Sequence, residues 1–423
     1  MILKIIVCVA CVQAVAVGVV SGKSLLLQPR HPLPFTADQA PLIARIGPHD
    51  ARHPDSLHHH AGHVSSSFSG RHGGKGSVDG CPLCPASHEI SPCACRCLND
   101  TAATIECGPE LASCSQLTEV MSLNSYPVNT YLRLVVADTN LACKLEKALW
   151  GRLVFQEIEI INNMFQALDN RAFQPFSATL TTLNLGGNTL QDVYFSTLSD
   201  TPLLRFLTLS YNKVDFLPGY SAMTLPLLET FDASYNKIRK IIAETFAGMP
   251  RLQKIDMSNN AITKVYARAF AFPQHDASSL VVNLSNNAIS SIEPGVLEGV
   301  RVCTLDLRNN HLINLPEAVY RPIIDFTAAS AIFWTNNNPF DCDSHFCWIA
   351  TNQTVSGTFN TVLCPNLGNY PVEVITPMCS ILPNTTTPRY SRSRGHPAHP
   401  APFRKSQVST AVRNLRRPFL RRP

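Results

Sequence analysis

Nine asparagines recur along this chain at nearly one interval, and that register constrains the fold more than any other feature. They are Asn140, Asn163, Asn188, Asn212, Asn236, Asn260, Asn287, Asn310 and Asn338, spaced by 23, 25, 24, 24, 24, 27, 23 and 28 residues. Apolar residues keep the same step. Five and three places before the asparagine stand pairs such as Ile158 and Ile160, Leu183 and Leu185, Ile255 and Met257, and Leu305 and Leu307. Two places after it come Phe165, Leu190, Val214, Ile238, Ile262, Ile289 and Leu312, and five places after it Leu145, Leu168, Val193, Leu217, Ile241, Val265, Ile292 and Leu315. Ten places after it stand Trp150, Phe173, Leu198, Phe246, Phe270, Leu297 and Tyr320, with Ala222 the one small residue. Columns held in phase over about 200 residues require one structural unit repeated many times.

The period and the L-x-L-x-x-N-x-L core are those of a leucine-rich repeat solenoid, an α/β architecture with a curved parallel sheet on its concave face. One coil cannot bury its apolar columns alone, so coils stack and share a core. A tight inward turn strands backbone N–H and C=O groups away from water, and an asparagine amide supplies both donor and acceptor. The asparagines are therefore expected to form a structural ladder, and the aromatic column to form a core spine. Neighbouring strands about 4.8 Å apart give a sheet roughly 40 Å long. Such a surface suits a protein or a long glycan and encloses a small substrate poorly.

The flanks differ in kind. Residues 1–22 carry Lys4 before an apolar run from Ile5 to about Val20, ending in small residues, which is a signal-peptide pattern. No later run reaches the length of about 18 apolar residues that a membrane span needs, so the expected product is secreted and soluble, without a membrane span or glycolipid anchor. Residues 23–79 are rich in Pro, Ser, Gly and His and are expected to be a disordered linker. Their histidines, His49 to His72, read as solvated rather than as a metal site, and no cofactor is expected. The tail 381–423 reads as disordered and basic, with ten Lys or Arg and no Asp or Glu from 384 onward. The whole chain is +5, so the remainder nets about −5 (+5 minus +10). In an exported chain such a tail attracts sulfated glycans or anionic surfaces, not nucleic acid. Between the flanks the reading places an N-terminal cysteine cap at 80–131, repeats at 132–337 and a C-terminal cysteine cap at 338–380.

Cysteine placement supports that division. Beyond the signal segment eight cysteines lie between Cys81 and Cys143, four between Cys342 and Cys379, and Cys303 stands by itself within the repeats. Clusters at both ends read as disulfide-stapled caps over the exposed ends of the core. Zinc is the rival for Cys81-Pro-Leu-Cys84 and Cys93-Ala-Cys95-Arg-Cys97, but exported thiolates oxidise first.

Two motifs extend the reading. The run from Asn338-Pro-Phe-Asp-Cys342 to Cys347-Trp-Ile, followed by Cys364 and Cys379, resembles the C-terminal cap of secreted extracellular leucine-rich repeat proteins. It departs from the usual spacing, since its first two cysteines are five positions apart. Ile90-Ser-Pro-Cys93-Ala-Cys95 and Ile105-Glu-Cys107 resemble the N-terminal cap of arthropod members. The resemblance covers about Cys81 to Ser380. It implies the pairings Cys342 with Cys364 and Cys347 with Cys379, disulfides at Cys93, Cys95 and Cys107, and a non-enzymatic partner role.

No catalytic constellation stands out. The chain has no P-loop, no H-E-x-x-H and no G-x-S-x-G. His345 near Asp341 and Asp343 falls inside a cysteine cap. The acids Glu157, Glu159, Asp232, Asp256 and Asp306 sit on separate strands of an open face, where nothing would exclude water as acid–base work needs. No catalytic residue is expected.

Strand alternation instead points to binding. If the residues five and three before Asn point inward, those four and six before it face the concave side. Partner binding is expected at Glu159, Asn184, Thr208 and Asp232, with Phe206 as a possible anchor. Asn99, Asn283, Asn352 and Asn384 head Asn-x-Ser/Thr sequons, and a glycan on Asn283 would screen the C-terminal half of the same face. Two functions fit: a protein-binding scaffold acting as an accessory subunit of an extracellular complex, or a matrix or recognition protein that holds glycans or microbial surfaces with help from the basic tail.

Overall fold

The computed structural model describes residues 81–380 apart from 221, 273–278, 301, 329 and 361, and apart from the side chains of 192, 302 and 303. The expected signal segment, linker and basic tail, with Asn384, lie outside the described residues, as does the Cys303 side chain.

One twelve-stranded sheet runs the length of the described chain. It begins with an antiparallel hairpin, Cys93–Asn99 against Ala102–Cys107, and every later pairing is parallel. The central strands are short, among them Thr182–Asn184, Phe206–Thr208, Thr230–Asp232 and Lys254–Asp256. Each buries its middle residue completely (Leu183, Leu207, Phe231, Ile255) while its neighbours stay at least partly exposed. Parallel strands normally need both faces covered. Here one face is open, and the opposite layer is supplied by the chain's own return segments. On the return side Trp150 stacks on Phe173 at 6.0 Å between ring centres and Phe246 on Phe270 at 5.4 Å, all buried. The aromatic column is core. In the Asn212 coil Ala222 is exposed, and the adjacent Met223 is buried instead.

The asparagine ladder runs from Asn163 to Asn338 with one missing bond, since Asn188 donates to Ile160 O and Leu185 O while its buried Oδ1 has no partner. Asn212 Nδ2 donates to Leu185 O in the preceding coil and to Leu209 O in its own, at 2.9 and 3.1 Å, and its Oδ1 accepts the Leu190 N–H. Asn260, Asn287, Asn310 and Asn338 repeat the arrangement. Asn140 corrects the sequence reading. Strand register sets Leu134 beside Ile158 and Val136 beside Ile160, which puts Thr139, not Asn140, opposite Asn163. Thr139 gives both its N–H and its hydroxyl to Asn163 Oδ1. Asn140 is exposed, and Leu145 still pairs in register with Leu168. The first coil therefore holds one extra residue between its ladder position and that flank strand.

A second set of two-residue strands follows the turns but is split in two. Lys144–Leu145, Ala167–Leu168 and Asp192–Val193 form one sheet, and Lys240–Ile241, Lys264–Val265 and Ser291–Ile292 form another. The ladder depends on the next residue's N–H, as where Tyr194 N reaches Leu168 O and Tyr266 N reaches Ile241 O. In the intervening coil that residue is Pro218, which has no N–H to give, and the ladder stops there.

Among the described residues six disulfides tie the ends. Cys93–Cys107 joins directly opposed hairpin residues, while Cys95 and Cys97, on the same face of that strand, hold Cys84 and Cys81. Cys114–Cys143 ties the helix Cys114–Met121 to the first coil, and Ser113 caps that helix by accepting from Gln116 N. At the other end Cys342 pairs with Cys364 and Cys347 with Cys379, the arrangement implied by the resemblance. Caps and repeats share elements. Strand Thr130–Ala137 crosses the expected limit at residue 131, and the C-terminal cap adds Phe359–Asn360 to the concave sheet.

Candidate binding face

The open face of the sheet carries two rows in register. One runs Glu157, Thr182, Phe206, Thr230, Lys254, Val281, Thr304, and the other Glu159, Asn184, Thr208, Asp232, Asp256, Asn283, Asp306. All the expected contact residues therefore lie on one surface, with Glu159, Asn184, Thr208 and Asp232 on four successive strands and Phe206 beside Thr208. Phe206 is 39% exposed, and the Arg205 guanidinium lies 5.4 Å from its ring centre.

The second row also has structural work that its charges do not reveal. Asn184 Oδ1 accepts the Gly186 N–H, Asp232 Oδ1 the Ser234 N–H, Asp256 Oδ1 the Ser258 N–H, Asn283 Oδ1 the Ser285 N–H and Asp306 Oδ1 the Arg308 N–H, at 2.9 to 3.1 Å. These side chains close the strand-to-turn corner as Asx turns. A partner would meet them by their remaining edges.

Charge on the face is partly neutralised in place. Arg133 pairs with Glu159 across strands, and Arg308 grips Asp306 through Nε and Nη2 while lying 4.4 Å over the Trp334 ring. Asp232 and Asp256 form no ion pair among the described residues. Burial pushes the Asp232 carboxyl above its ordinary range, the Ser234 hydrogen bonds pull part of the way back, and neighbouring Asp256 adds to the rise. Such a site favours an incoming cation or an uncharged neighbour. Val281 and Ile332 add apolar surface toward the C-terminal end, at 37% and 38% exposure. The sequence reading missed Arg133, Arg308 and Trp334, because only cross-strand register brings Arg133 to Glu159 and Arg308 over Trp334.

Other candidates resolve locally. His345 Nδ1 lies 2.8 Å from Asp343 Oδ1, at the start of a short helical turn on the surface of the C-terminal cap. The sulfurs of Cys81, Cys84 and Cys97 lie within 4.8 Å of one another, but each belongs to a disulfide and has no thiolate for a metal. Of the sequons, Asn99 is exposed and bonded to its own Thr101, and Asn352 caps the helix Gln353–Ser356. Asn283 Nδ2, the atom a glycan would modify, donates to Asp256 Oδ2 at 3.0 Å. No helix among the described residues is long and apolar enough to cross a membrane.

Comparison with family models agrees with this architecture. The leucine rich repeat family model matches residues 208–262 and 226–273. The chain is 26% identical over 288 residues to the Oplophorus-luciferin 2-monooxygenase non-catalytic subunit of Oplophorus gracilirostris, across 63% of this chain and 79% of that protein. Among solved structures it resembles a chain of the TLR13–ssRNA13 complex (19% identity, TM-score 0.48, 56% of this chain and 32% of that one). It also resembles the functional domain of InlJ from Listeria monocytogenes (19% identity, TM-score 0.40, 62% and 48%). The chain thus spans from about a third to about half of those solved chains.

Proposed function

We propose that this chain, a leucine-rich repeat protein, is a secreted, non-catalytic scaffold that holds an extracellular protein partner against its concave sheet as an accessory or stabilising subunit. The observation that carries this reading is the pair of in-register rows from Glu157 and Glu159 to Thr304 and Asp306, an extended polar surface with Phe206 exposed among short polar side chains. Extended faces of stacked coils suit protein partners, and an aromatic ringed by polar groups is the usual anchor. The relative named as a non-catalytic subunit supports the role. Six disulfides are the pattern of an oxidising compartment, which supports export.

Co-purification from the native secreted fluid tests the reading. The expected result is a stoichiometric protein partner that stays bound in high salt and cross-links to the strands between Val154 and Asp256. Recovery only of material released by salt or heparin would place function in the basic tail instead.

A further inference from the structure

The residue before each ladder position adopts a left-handed backbone, a conformation that suits glycine and asparagine and penalises large side chains. The chain places Asn162, Gly187, Asn259, Asn286, Asn309 and Asn337 there, with φ between 54° and 67°. In the C-terminal coils these amides form their own outer ladder, Asn309 donating to Asn286 at 2.9 Å and Asn337 to Asn309 at 2.8 Å. Two successive coils break the rule with Tyr211 and Tyr235, at φ of 54° and 52°. Their rings stack at 4.2 Å with 8° between planes, and each residue is 46% exposed. A bulky residue held in a disfavoured conformation and left in solvent points toward a use for it.

The pair belongs to a local concentration of surface aromatics. Phe206, Tyr211, Phe216 and Tyr220 follow one coil from the concave face over its rim to the flank, and Phe216 and Tyr220 are 50% and 74% exposed. The flank is the place where Pro218 interrupts the second strand ladder, leaving an open depression of about 480 Å³ beside Tyr194, Asp215 and Phe216. On the concave side of the rim lie Asp232 and Asp256, which no Lys or Arg pairs among the described residues. The field of Lys254 reaches Asp232 without pairing with it, and Asp232 in turn bears on the Tyr211 hydroxyl.

The fold carries its own example of what fits such a place. In the Asn310 coil, Arg308 occupies the position two before the ladder, grips Asp306 and lies over Trp334. The Asn236 and Asn260 coils keep the aspartate at the corresponding strand position but put Ser234 and Ser258 where Arg308 stands. Carboxylates beside aromatic rings are present, and the internal guanidinium is not. We propose that the rim formed by Tyr211, Tyr235, Asp232 and Asp256 receives an arginine or lysine side chain carried on an extended segment of a protein partner. This rests on the protein-binding reading above and names the chemistry of the partner. A guanidinium can stack on a ring face while it bonds to a carboxylate, and the neighbouring Phe216 and Tyr220 would take apolar residues of the same segment.

The test is selection of a displayed random-peptide library against the intact protein, followed by affinity measurement on the enriched peptides. Peptides rich in Arg or Lys next to apolar residues are expected. Their affinity should fall at least tenfold in the double variant Tyr211→Asn, Tyr235→Asn, and similarly in Asp232→Asn, Asp256→Asn. Asparagine is what other coils carry at the rim, so the tyrosine variant is expected to keep its melting temperature. Enriched peptides without basic residues, or basic peptides that bind the Asn variants as well as the parent, would overturn the proposal. If such peptides lose affinity only in Phe206→Ala, the concave-face reading stands and the rim assignment falls. Binding to a glycan array that depends on Tyr211 and Tyr235, with no peptide enriched, would sink both.

Discussion

The side-chain amide of Asn236 donates to the Leu209 carbonyl oxygen one coil back, at 2.8 Å, while its Oδ1 accepts the Val214 N–H at 3.0 Å. It also donates to Ala233 O and Ser234 O in its own turn. One side chain therefore serves the backbone of two coils. Asn236→Ala would leave these groups short of partners, and each unsatisfied buried group costs about 1–3 kcal/mol. Urea unfolding should show a loss of at least ~2 kcal/mol. An alanine variant with unchanged stability but lost partner binding would make Asn236 a contact residue instead.

Asp232 gives a pH-dependent prediction. Its carboxyl is raised by burial first, with the Ser234 hydrogen bonds opposing and the Asp256 charge adding. A raised acid binds its proton more tightly in the folded state. Its stabilising contribution is complete below the unfolded value of about 3.9 and is lost as pH rises through the folded value. Above that window the ionised carboxylate is a penalty. Asn184 and Asn283 show that an amide makes the same turn. Asp232→Asn should therefore raise the melting temperature at pH 7, by about 2 °C, and the gain should shrink toward zero below about pH 4. A gain that is the same at both pH values would mean that charge is not its cause.

The caps predict a specific thiol map. Unreduced peptide mapping should recover Cys81–Cys97, Cys84–Cys95, Cys93–Cys107, Cys114–Cys143, Cys342–Cys364 and Cys347–Cys379. Replacing Cys342 and Cys364 together by alanine should cost roughly 2–4 kcal/mol. A bridge from Cys303 to either cap would contradict the map.

Most of the fold was legible because burial enforces it. Apolar columns in fixed phase leave one way to stack, and a buried amide recurring at each turn has one structural task. Thr139 was not legible, because it makes the ladder bond with a hydroxyl and the next residue happens to be an asparagine. The candidate face was legible as a place, since strand alternation fixes which side chains point outward. It was not legible as chemistry. Asp232 and Asp256 read only as acids on an open face, whereas each is engaged by a backbone N–H two residues on. A trace of this was available in Asp232-Ala-Ser234, Asp256-Met-Ser258 and Asn283-Leu-Ser285, a repeated short polar pair at the strand end. The pairing of Arg133 with Glu159 and the seat of Arg308 on Trp334 needed strand register, which residue spacing alone does not supply.

Phe206 separates the concave face from the other elements able to bind. It sits on a three-residue strand, its ring is partly covered by Arg205, and Arg205 is itself held by Glu229 at 2.8 Å. Phe206 is 39% exposed, so Phe206→Ala should lower stability by only about 1 kcal/mol. If the ring is an anchor, partner affinity should weaken by at least about 1 kcal/mol. Glu159 is a poorer probe, because Glu159→Lys would set a second cation beside Arg133 and break their ion pair. Its effect on binding should therefore come with a lower melting temperature. The informative comparison is the affinity of the isolated partner for Phe206→Ala and for a chain lacking residues 384–423. Loss in the first and retention in the second places the contact on the sheet. The reverse pattern would make the basic tail the functional element and reduce the solenoid to its support.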